Sequence, residues 1–212
     1  MKFLRVAATA ALLLATGCVH FSPDRPQGGR LMEDVRVLSA DDMQGREIGT
    51  KGSIKARNYI LRRFKQEGLR PLPSGWLQPF RFTPRDGLER QGVNVMGYVR
   101  GVKHPDRFIV VSAHYDHVGV GDDGQIHNGA DDNASGVAAL FEMAHGLKSR
   151  RPDHSILFVA FDGEEFGMRG ARAFMAAPPV PPSAMALNIN LDMIARLDKG
   201  QIYAAGTWQF PR

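Results

Sequence analysis

Runs of consecutive apolar residues alternate along the chain with segments of helical periodicity. Three of the runs are rich in β-branched residues and are typical of strands buried on both faces, as parallel strands usually are. They cover 108–111, 156–161 and 187–191. A weaker alternation over 93–99 predicts a further strand, and 202–205 predicts a last strand with an unpaired edge.

Helical spacing of apolar residues predicts four helices before and between these strands. The first begins near Leu31, and the others cover 51–68, 137–147 and 168–177. In the second of them, Ile54, Leu61 and Phe64 are predicted to share the core face. The alternation predicts one α/β domain, a three-layer α/β/α sandwich with a mostly parallel mixed sheet.

Polar residues follow each buried strand at the point where the apolar run stops. His114 and Asp116 follow the first strand, Glu164 and Glu165 the second, and Asp192 the third. In open α/β sheets, ligands bind beyond the carboxyl ends of the strands. Three strands that each deliver polar residues there predict one shared site.

A fourth polar stretch, Gly-Ala-Asp-Asp-Asn-Ala-Ser-Gly at 129–136, precedes the third predicted helix. On these residues alone, Asp131, Asp132 and Asn133 are equally well explained as helix N-caps, since Asp and Asn are favoured there and a carboxylate suits the helix dipole. The repetition of polar residues at the strand ends favours membership of the site.

Histidine and carboxylate side chains are the ligands that suit zinc or a similar divalent ion, and a carboxylate can bridge two ions. Adjacent Glu164 and Glu165 would repel each other if both were buried without partners. One of them is therefore expected to face a metal while the other carries a functional proton. Metal-assisted hydrolysis follows from this set.

Four motifs carry a resemblance to a known family. They are His114-x-Asp116, the stretch at 129–136, the Asp-Gly-Glu-Glu-x-Gly stretch at 162–167, and Asn-Leu-Asp-Met at 190–193. In this order they resemble the motifs of the di-zinc exopeptidases, which include bacterial leucyl aminopeptidases, glutamate carboxypeptidase and glutaminyl cyclase. The segment 41–47 resembles the N-terminal part of the same family. The resemblance implies a zinc-exopeptidase-like fold and an aminopeptidase that cleaves N-terminal peptide bonds.

The resemblance also implies the metal ligands. Asp131 would bridge two zinc ions, one of them also held by His114 and Asp192. The other would be held by Glu165 and by a histidine from a later loop. No histidine follows His154 in this sequence. Because a zinc site normally needs three protein ligands, we expect at most one tightly held ion per chain.

The catalytic roles follow from the same resemblance. Glu164 would be the general base that takes a proton from a metal-bound water, and Asp116 would orient His114. His117 and His127 lie near the motifs, where histidines more often face solvent or support a ligand than bind metal. The chain is expected to be a C-terminally short member with an incomplete sheet.

The N-terminus resembles a lipoprotein signal. Residues 1–17 carry Lys2 and Arg5 followed by an apolar run too short to span a bilayer. Cys18 would be lipidated and 18–30 would form a tether, leaving 31–212 as the truncated metallopeptidase domain. The expectation is a periplasmic protein anchored to the outer membrane; plain secretion with an incidental cysteine is the alternative.

The formal charge of +5 is spread over isolated residues and pairs, with no long basic run. This gives little support to nucleic-acid binding. No Ser lies in a Gly-x-Ser-x-Gly frame, so serine catalysis has no support either. A glutaminyl cyclase-like transferase and a non-catalytic lipoprotein of the same fold remain alternatives to the peptidase. Metal identity, side-chain preference and oligomeric state stay open.

Overall fold

One mixed sheet of five strands runs through the part of the chain that the structure describes. A computed structural model gives the structure of residues 28–196, 200–201 and 203–206. The strands are β1 (Leu77–Phe82), β2 (Arg90–Val99), β3 (His104–His114), β4 (His154–Phe161) and β5 (Met185–Asn190). Their order across the sheet is β1-β2-β4-β3-β5. Strand β2 runs antiparallel to both of its neighbours, β1 and β4, and the other four strands point in the same direction.

Helices cover both faces of this sheet. The helices are α1 (Gly28–Leu38), α2 (Lys51–Gln66), α3 (Gly136–Gly146) and α4 (Arg169–Ala176). The first three contribute to one hydrophobic cluster, and Phe174 of α4 belongs to a separate cluster on the other face. The predicted three-layer α/β fold with a mostly parallel mixed sheet is confirmed.

Strand β4 shows why the apolar runs are continuous. Phe158 and Ala160 pack in the cluster under α1–α3, whereas Leu157 and Val159 pack in the cluster under α4. Successive side chains of a strand point to opposite faces. Because both faces are covered by helices, every position favours an apolar residue.

The helical pattern predicted the position of α2 but not the face that it buries. Ile54 is 44% exposed, and the side chains that face the core are Ala56, Ile60 and Phe64 at intervals of four residues. Ile54 lies on the opposite side, above the N-terminal turn. The predicted face was therefore wrong at Ile54 and right at Phe64.

Strand β5 forms one edge of the sheet. Leu187 and Ile189 on this strand are 54% and 40% exposed. The unpaired edge was predicted for 202–205 instead, but Tyr203, Ala204 and Ala205 form no strand, and Ile202 lies outside the described residues.

The signal segment 1–17, Cys18 and most of the predicted tether lie outside the described residues. Helix α1 begins at Gly28, within the stretch 18–30 that was predicted to be a tether. Among the described residues, no helix is both long and apolar enough to cross a membrane. Export and lipidation at Cys18 therefore stay predictions.

A buried ion network joins the helices on one face of the sheet. Asp34 of α1 accepts hydrogen bonds from Tyr59 Oη at 2.5 Å and from Arg63 Nε at 2.7 Å. Arg63 also donates to Glu67 at 2.8 Å, and Glu67 accepts a hydrogen bond from His145 of α3. Asp34 and Glu67 are 3% and 5% exposed; the charge of Asp34 is paired with this guanidinium, and that of Glu67 is paired with it and with Lys148 at 2.8 Å.

We expect the Arg63→Ala variant to lose about 3–5 kcal/mol of unfolding free energy, since it leaves the buried carboxylate of Asp34 without its guanidinium partner. Arg36→Ala is the matched control, because Arg36 pairs with Glu33 while 70% exposed and should change stability by less than about 0.5 kcal/mol. Urea unfolding measures both values. Equal losses in the two variants would show that the network contributes little.

Candidate metal centre

The first part of the site forms where two parallel strands end side by side. His114 is the last residue of β3, and Asp192 follows β5, which pairs with β3. His114 Nε2 lies 3.3 Å from Asp192 Oδ1. The predicted convergence of strand ends therefore brings these two side chains together.

Asp132 completes this group. Its Oδ1 lies 3.2 Å from His114 Nε2, and the three side chains of His114, Asp132 and Asp192 each direct one ligand atom to within 4.8 Å of the others. Asp132 also belongs to a second group, since its Oδ2 lies 3.8 Å from His117 Nδ1.

Asp131, the residue expected at the centre, lies elsewhere. Its Oδ1 accepts a hydrogen bond from the backbone N–H of Ala195 at 3.0 Å, and its Oδ2 lies 3.4 Å from Arg196 Nε. Adjacent side chains of this turn point in different directions, because the helical path is interrupted at Asp132 and Asn133 by non-helical dihedrals. The structure thus places Asp132 where the resemblance placed Asp131.

Asn133 connects this turn to the segment that carries Asp192. Its Nδ2 donates to the carbonyl of Leu191 at 2.9 Å, and its Oδ1 accepts a hydrogen bond from the N–H of Gly136. Ser135 Oγ accepts a further hydrogen bond from the N–H of Ile194 at 3.3 Å. These polar side chains hold two distant segments together, in addition to any capping of α3.

Asp116 organises the other half of the site. It is fully buried, and its two carboxylate oxygens accept hydrogen bonds from the backbone N–H groups of Glu164 and Glu165 at 3.0 and 3.2 Å. His114 Nδ1 lies 3.2 Å from the backbone carbonyl oxygen of Asp116 and 3.6 Å from its Oδ1. Asp116 therefore contacts both the histidine and the pair of glutamates.

His117, which was expected to face solvent or support a ligand, also lies in the site. Its Nδ1 lies 2.8 Å from Glu165 Oε1, and its side chain is 14% exposed. The signal that could have found it is its position three residues after His114, on the loop that leaves the end of β3. His127, weighed equally with it, is exposed.

A buried arginine connects the loop after β3 with the loop before α3. Arg46 is 1% exposed, and it donates hydrogen bonds to the carbonyls of Tyr115, Asn128 and Gly129 at 2.7–2.8 Å. A side chain on Gly129 would collide with Arg46 and His117, and the residue has φ +58°. Glycine is therefore required at this contact.

The electrostatics of the site are dominated by carboxylates. Burial lowers the pKa of His114, but the hydrogen bond and charge of Asp116, with the charges of Asp192 and Glu164, outweigh it and raise that pKa to about 9. Burial raises the pKa of Glu164, and the charge of His114 opposes the rise. Without a metal, the excess negative charge would retain a proton on His114.

A cavity of about 280 Å³ opens beside these groups. His114, Glu164 and Asp192 line it at one end, and Phe161 and Asn188 lie along it. The space is large enough for one side chain of a peptide.

Comparison with known proteins agrees with this geometry. Residues 94–209, which include all of the residues brought together here except Arg46, match Peptidase family M28. The chain belongs to peptidase family M28. The match confirms the resemblance drawn from the four motifs.

Two curated relatives of this M28 chain illustrate the likeness. The alkaline phosphatase isozyme conversion protein of Escherichia coli K12 is 30% identical over 90% of this chain and 59% of its own length. Aminopeptidase YwaD of Bacillus subtilis is 37% identical over 48% of this chain and 21% of its own length. The chain thus spans less than two thirds of the curated relatives that it matches.

Solved structures show the same fold. A leucine aminopeptidase precursor from Bacteroides thetaiotaomicron has a TM-score of 0.67 at 19% identity, over 81% of this chain and 64% of that one. Glutaminyl cyclases, including one from the same organism, have TM-scores of 0.62–0.67 at 20–21% identity, over 80–81% of this chain and 60–63% of theirs. These solved structures therefore share the fold of this M28 chain.

Asp162 also lines the cavity beside the metal centre but is not part of either ligand group. It is 2% exposed; its Oδ2 contacts Tyr115 Oη and the N–H of Val93 at 2.9 Å, and its Oδ1 finds no hydrogen-bond partner among the described residues. Burial, with the charge of Asp116, raises the pKa of Asp162 to about 7. The carboxyl group is therefore held in its neutral form at mildly acidic pH.

This raised pKa predicts a pH dependence of stability. The unfolded chain ionises Asp162 near pH 4 while the folded M28 chain does so near pH 7, so stability falls as pH rises between these values, by up to about 1.4 kcal/mol per unit. The asparagine of the Asp162→Asn variant cannot ionise, so the variant should gain stability relative to the unmodified protein as pH rises over that range. Urea unfolding with EDTA at pH 4, 5.5 and 7 measures this gain. The exposed Asp122→Asn control should show no such gain. If the difference in stability between Asp162→Asn and the unmodified protein does not change with pH, the assignment is contradicted.

Proposed function

We propose that this chain is a zinc-dependent exopeptidase of the aminopeptidase type. The observation that carries the proposal is the group formed by His114, Asp132 and Asp192 at the ends of two parallel strands, with Glu164 at the same cavity, in a chain of family M28. Asp132 takes the role that the resemblance had given to Asp131.

The donor set fits a zinc ion. Tetrahedral zinc with bonds of about 2.0–2.1 Å separates its ligand atoms by roughly 3.3 Å. His114 Nε2 lies 3.2 Å from Asp132 and 3.3 Å from Asp192. Two of the three separations therefore already match those around a zinc ion, the third is within 4.8 Å, and the fourth position is left for water or substrate.

The side chains around this position supply the remaining chemistry. A bound divalent ion supplies Lewis acidity, which polarises a peptide carbonyl and acidifies water. Glu164 accepts the proton of the attacking water and delivers it to the departing amine, a role that its raised pKa favours. Asp116 fixes the backbone of Glu164 and, through its contact with Nδ1, the ring of His114.

The cavity favours cleavage next to a chain end. Its volume of about 280 Å³ accommodates one residue and not an extended peptide on both sides of the scissile bond. The carboxylates that line it outnumber its one histidine, and this negative charge favours a cationic α-amino group. We therefore infer peptides with free N-termini as the substrate class.

Zinc-loaded protein should release p-nitroaniline from aminoacyl p-nitroanilides and not from their N-acetylated forms, since the acetyl group removes the positive charge. A peptide with N-terminal glutamine tests the transferase alternative, because a cyclase releases ammonia without cleaving the chain. If metal-loaded, folded protein releases neither p-nitroaniline from either type of substrate nor ammonia from the glutamine peptide, the non-catalytic alternative is favoured.

Glu164→Gln should lower kcat by about 10²–10⁴-fold, because glutamine has nearly the same shape but cannot accept the proton. Its zinc content should not change, since Glu164 belongs to neither ligand group. Steady-state kinetics and elemental analysis of the same preparation measure the two quantities. A variant with full kcat would remove Glu164 from the proton transfer.

Asp132→Asn and Asp131→Asn form a matched pair at adjacent positions. We expect Asp132→Asn to bind zinc at least about 100-fold more weakly, because an amide is a poorer ligand than a carboxylate that contacts the ion directly. Asp131→Asn should bind zinc within a few-fold of the unmodified protein. Competition with a zinc-binding dye measures both dissociation constants. The reverse ranking would restore Asp131 as the ligand.

A further inference from the structure

A second cavity opens between the N-terminal half of α2 and the residues where β2 begins. Its volume of about 610 Å³ is that of a small-molecule site. None of the candidate metal ligands lines it, and Asp162 is the one described residue that it shares with the cavity beside the metal centre. We refer to this cavity as the α2 cleft. It is therefore distinct from the candidate metal centre.

Arg57 is the unpaired cation of the α2 cleft. Its Nε is buried and has no hydrogen-bond partner among the described residues. Arg90, the other arginine of the lining, pairs with Asp86 at 2.6 Å and stacks on the ring of Phe166. A buried guanidinium nitrogen without a partner costs free energy. Arg57 therefore favours an anionic ligand that would accept its hydrogen bonds.

The glutamates of the lining are directed elsewhere. Glu89 pairs with Arg81 at 2.9 Å. Glu47 packs against Gly119, where a Cβ would lie 2.6 Å from its Oε2, so this carboxylate faces the loop after β3. In the described part of the chain, neither forms an ion pair with Arg57. The guanidinium of Arg57 is thus available to an anion from solution.

Asp162 supplies a second unpartnered polar group in the same cleft. It is 2% exposed, and its Oδ1 has no hydrogen-bond partner, whereas its Oδ2 is bonded to Tyr115 Oη and to the N–H of Val93. Burial raises the pKa of Tyr115 and the charge of Arg57 opposes the rise, so the guanidinium lies near this hydroxyl group. A neutral Asp162 can donate a hydrogen bond to a ligand oxygen beside Arg57.

Apolar side chains form the rest of the wall. Ile48 and Val93 are buried, whereas Ile54 and Leu88 are 44% and 65% exposed. Ile54 is the residue whose helical position predicted burial in the core. Isolated exposed apolar residues are common, but these two line the same cleft as an unpaired arginine. An apolar group next to the anion of a ligand would contact both of them.

We propose that the α2 cleft binds an organic carboxylate with an aliphatic side chain, the chemistry shared by a peptide C-terminus and a free aliphatic amino acid. The carboxylate pairs with Arg57, whose planar fork binds two oxygens, and accepts a hydrogen bond from Asp162. The side chain contacts Ile54 and Leu88. A single unpaired cation favours such a monoanion over phosphate. The inference does not rest on the proposed function, since no group of the metal centre takes part.

The probe is N-acetyl-leucine, which carries the carboxylate and the aliphatic side chain but no free amine. Titration of the ¹⁵N-labelled chain at pH 6, with and without EDTA, is followed by nuclear magnetic resonance. We expect the largest shifts at the backbone amides of 49–57 and 88–93, and the same dissociation constant in both buffers. N-acetylleucinamide has the same shape without the charge and should bind at least about tenfold more weakly.

Free leucine distinguishes the two sources of this chemistry. Its ammonium group lies next to the carboxylate and would approach Arg57 with it, whereas the last residue of a peptide carries an uncharged amide at that position. Binding of leucine as tight as that of N-acetyl-leucine, or tighter, assigns the cleft to free amino acids. Weaker binding of leucine assigns it to peptide C-termini.

Arg57→Gln removes the cation and should weaken binding of N-acetyl-leucine at least about tenfold. Arg62→Gln is the matched control, because Arg62 is exposed on the same helix and does not line the cleft. Ile54→Ser should weaken binding of N-acetyl-leucine about threefold or more and leave that of N-acetylglycine unchanged. Urea unfolding verifies that each variant is folded.

Equal affinity for the acid and its amide, or for Arg57→Gln and the unmodified protein, would overturn the proposal. Shifts confined to the residues of the metal centre, or binding that disappears in EDTA, would also overturn it, since the carboxylate would then bind at that centre. If folded, unmodified protein does not bind N-acetyl-leucine, water alone satisfies Arg57 and Asp162, and the cleft is not a carboxylate site.

Discussion

The candidate site depends on a single buried cation, Arg46. Its guanidinium donates to carbonyl oxygens at the end of α1, after β3 and in the loop before α3, including Leu38, Tyr115 and Gly129. Burial lowers its pKa only to about 10, so it stays charged at neutral pH. Its five N–H donors bond to the carbonyls of five residues, which sets the relative positions of three segments.

This arrangement also balances charge. The site gathers the carboxylates of Asp116, Asp132, Glu164, Glu165 and Asp192 in a small volume. The charge of the buried guanidinium acts on three of them and compensates part of their mutual repulsion. The negative charge that remains uncompensated attracts further cations. One is the proton on the imidazole of His114, and a divalent ion would take its place.

The sequence was most informative where one physical rule decided the outcome. Continuous apolar runs predicted the strands, and the common direction of parallel strands brought His114 to Asp192. It was least informative where the outcome depended on local backbone geometry. No pattern distinguishes Asp131 from Asp132, since only the dihedrals of the turn decide which carboxylate faces the histidines. Ile54 was misplaced because α2 buries small residues beside large ones, which blurs its apolar face.

Loop geometry likewise explains why the second group of ligands could not be seen in the sequence. A strand fixes the direction of a side chain by alternation, so His114 at the end of β3 could be placed. His117 lies three residues farther, on a loop whose path is set by contacts with Arg46 and Gly129 from distant parts of the chain. Its position is therefore a property of the packed loops, and it becomes visible only when the buried hydrogen bonds that shape those loops are known.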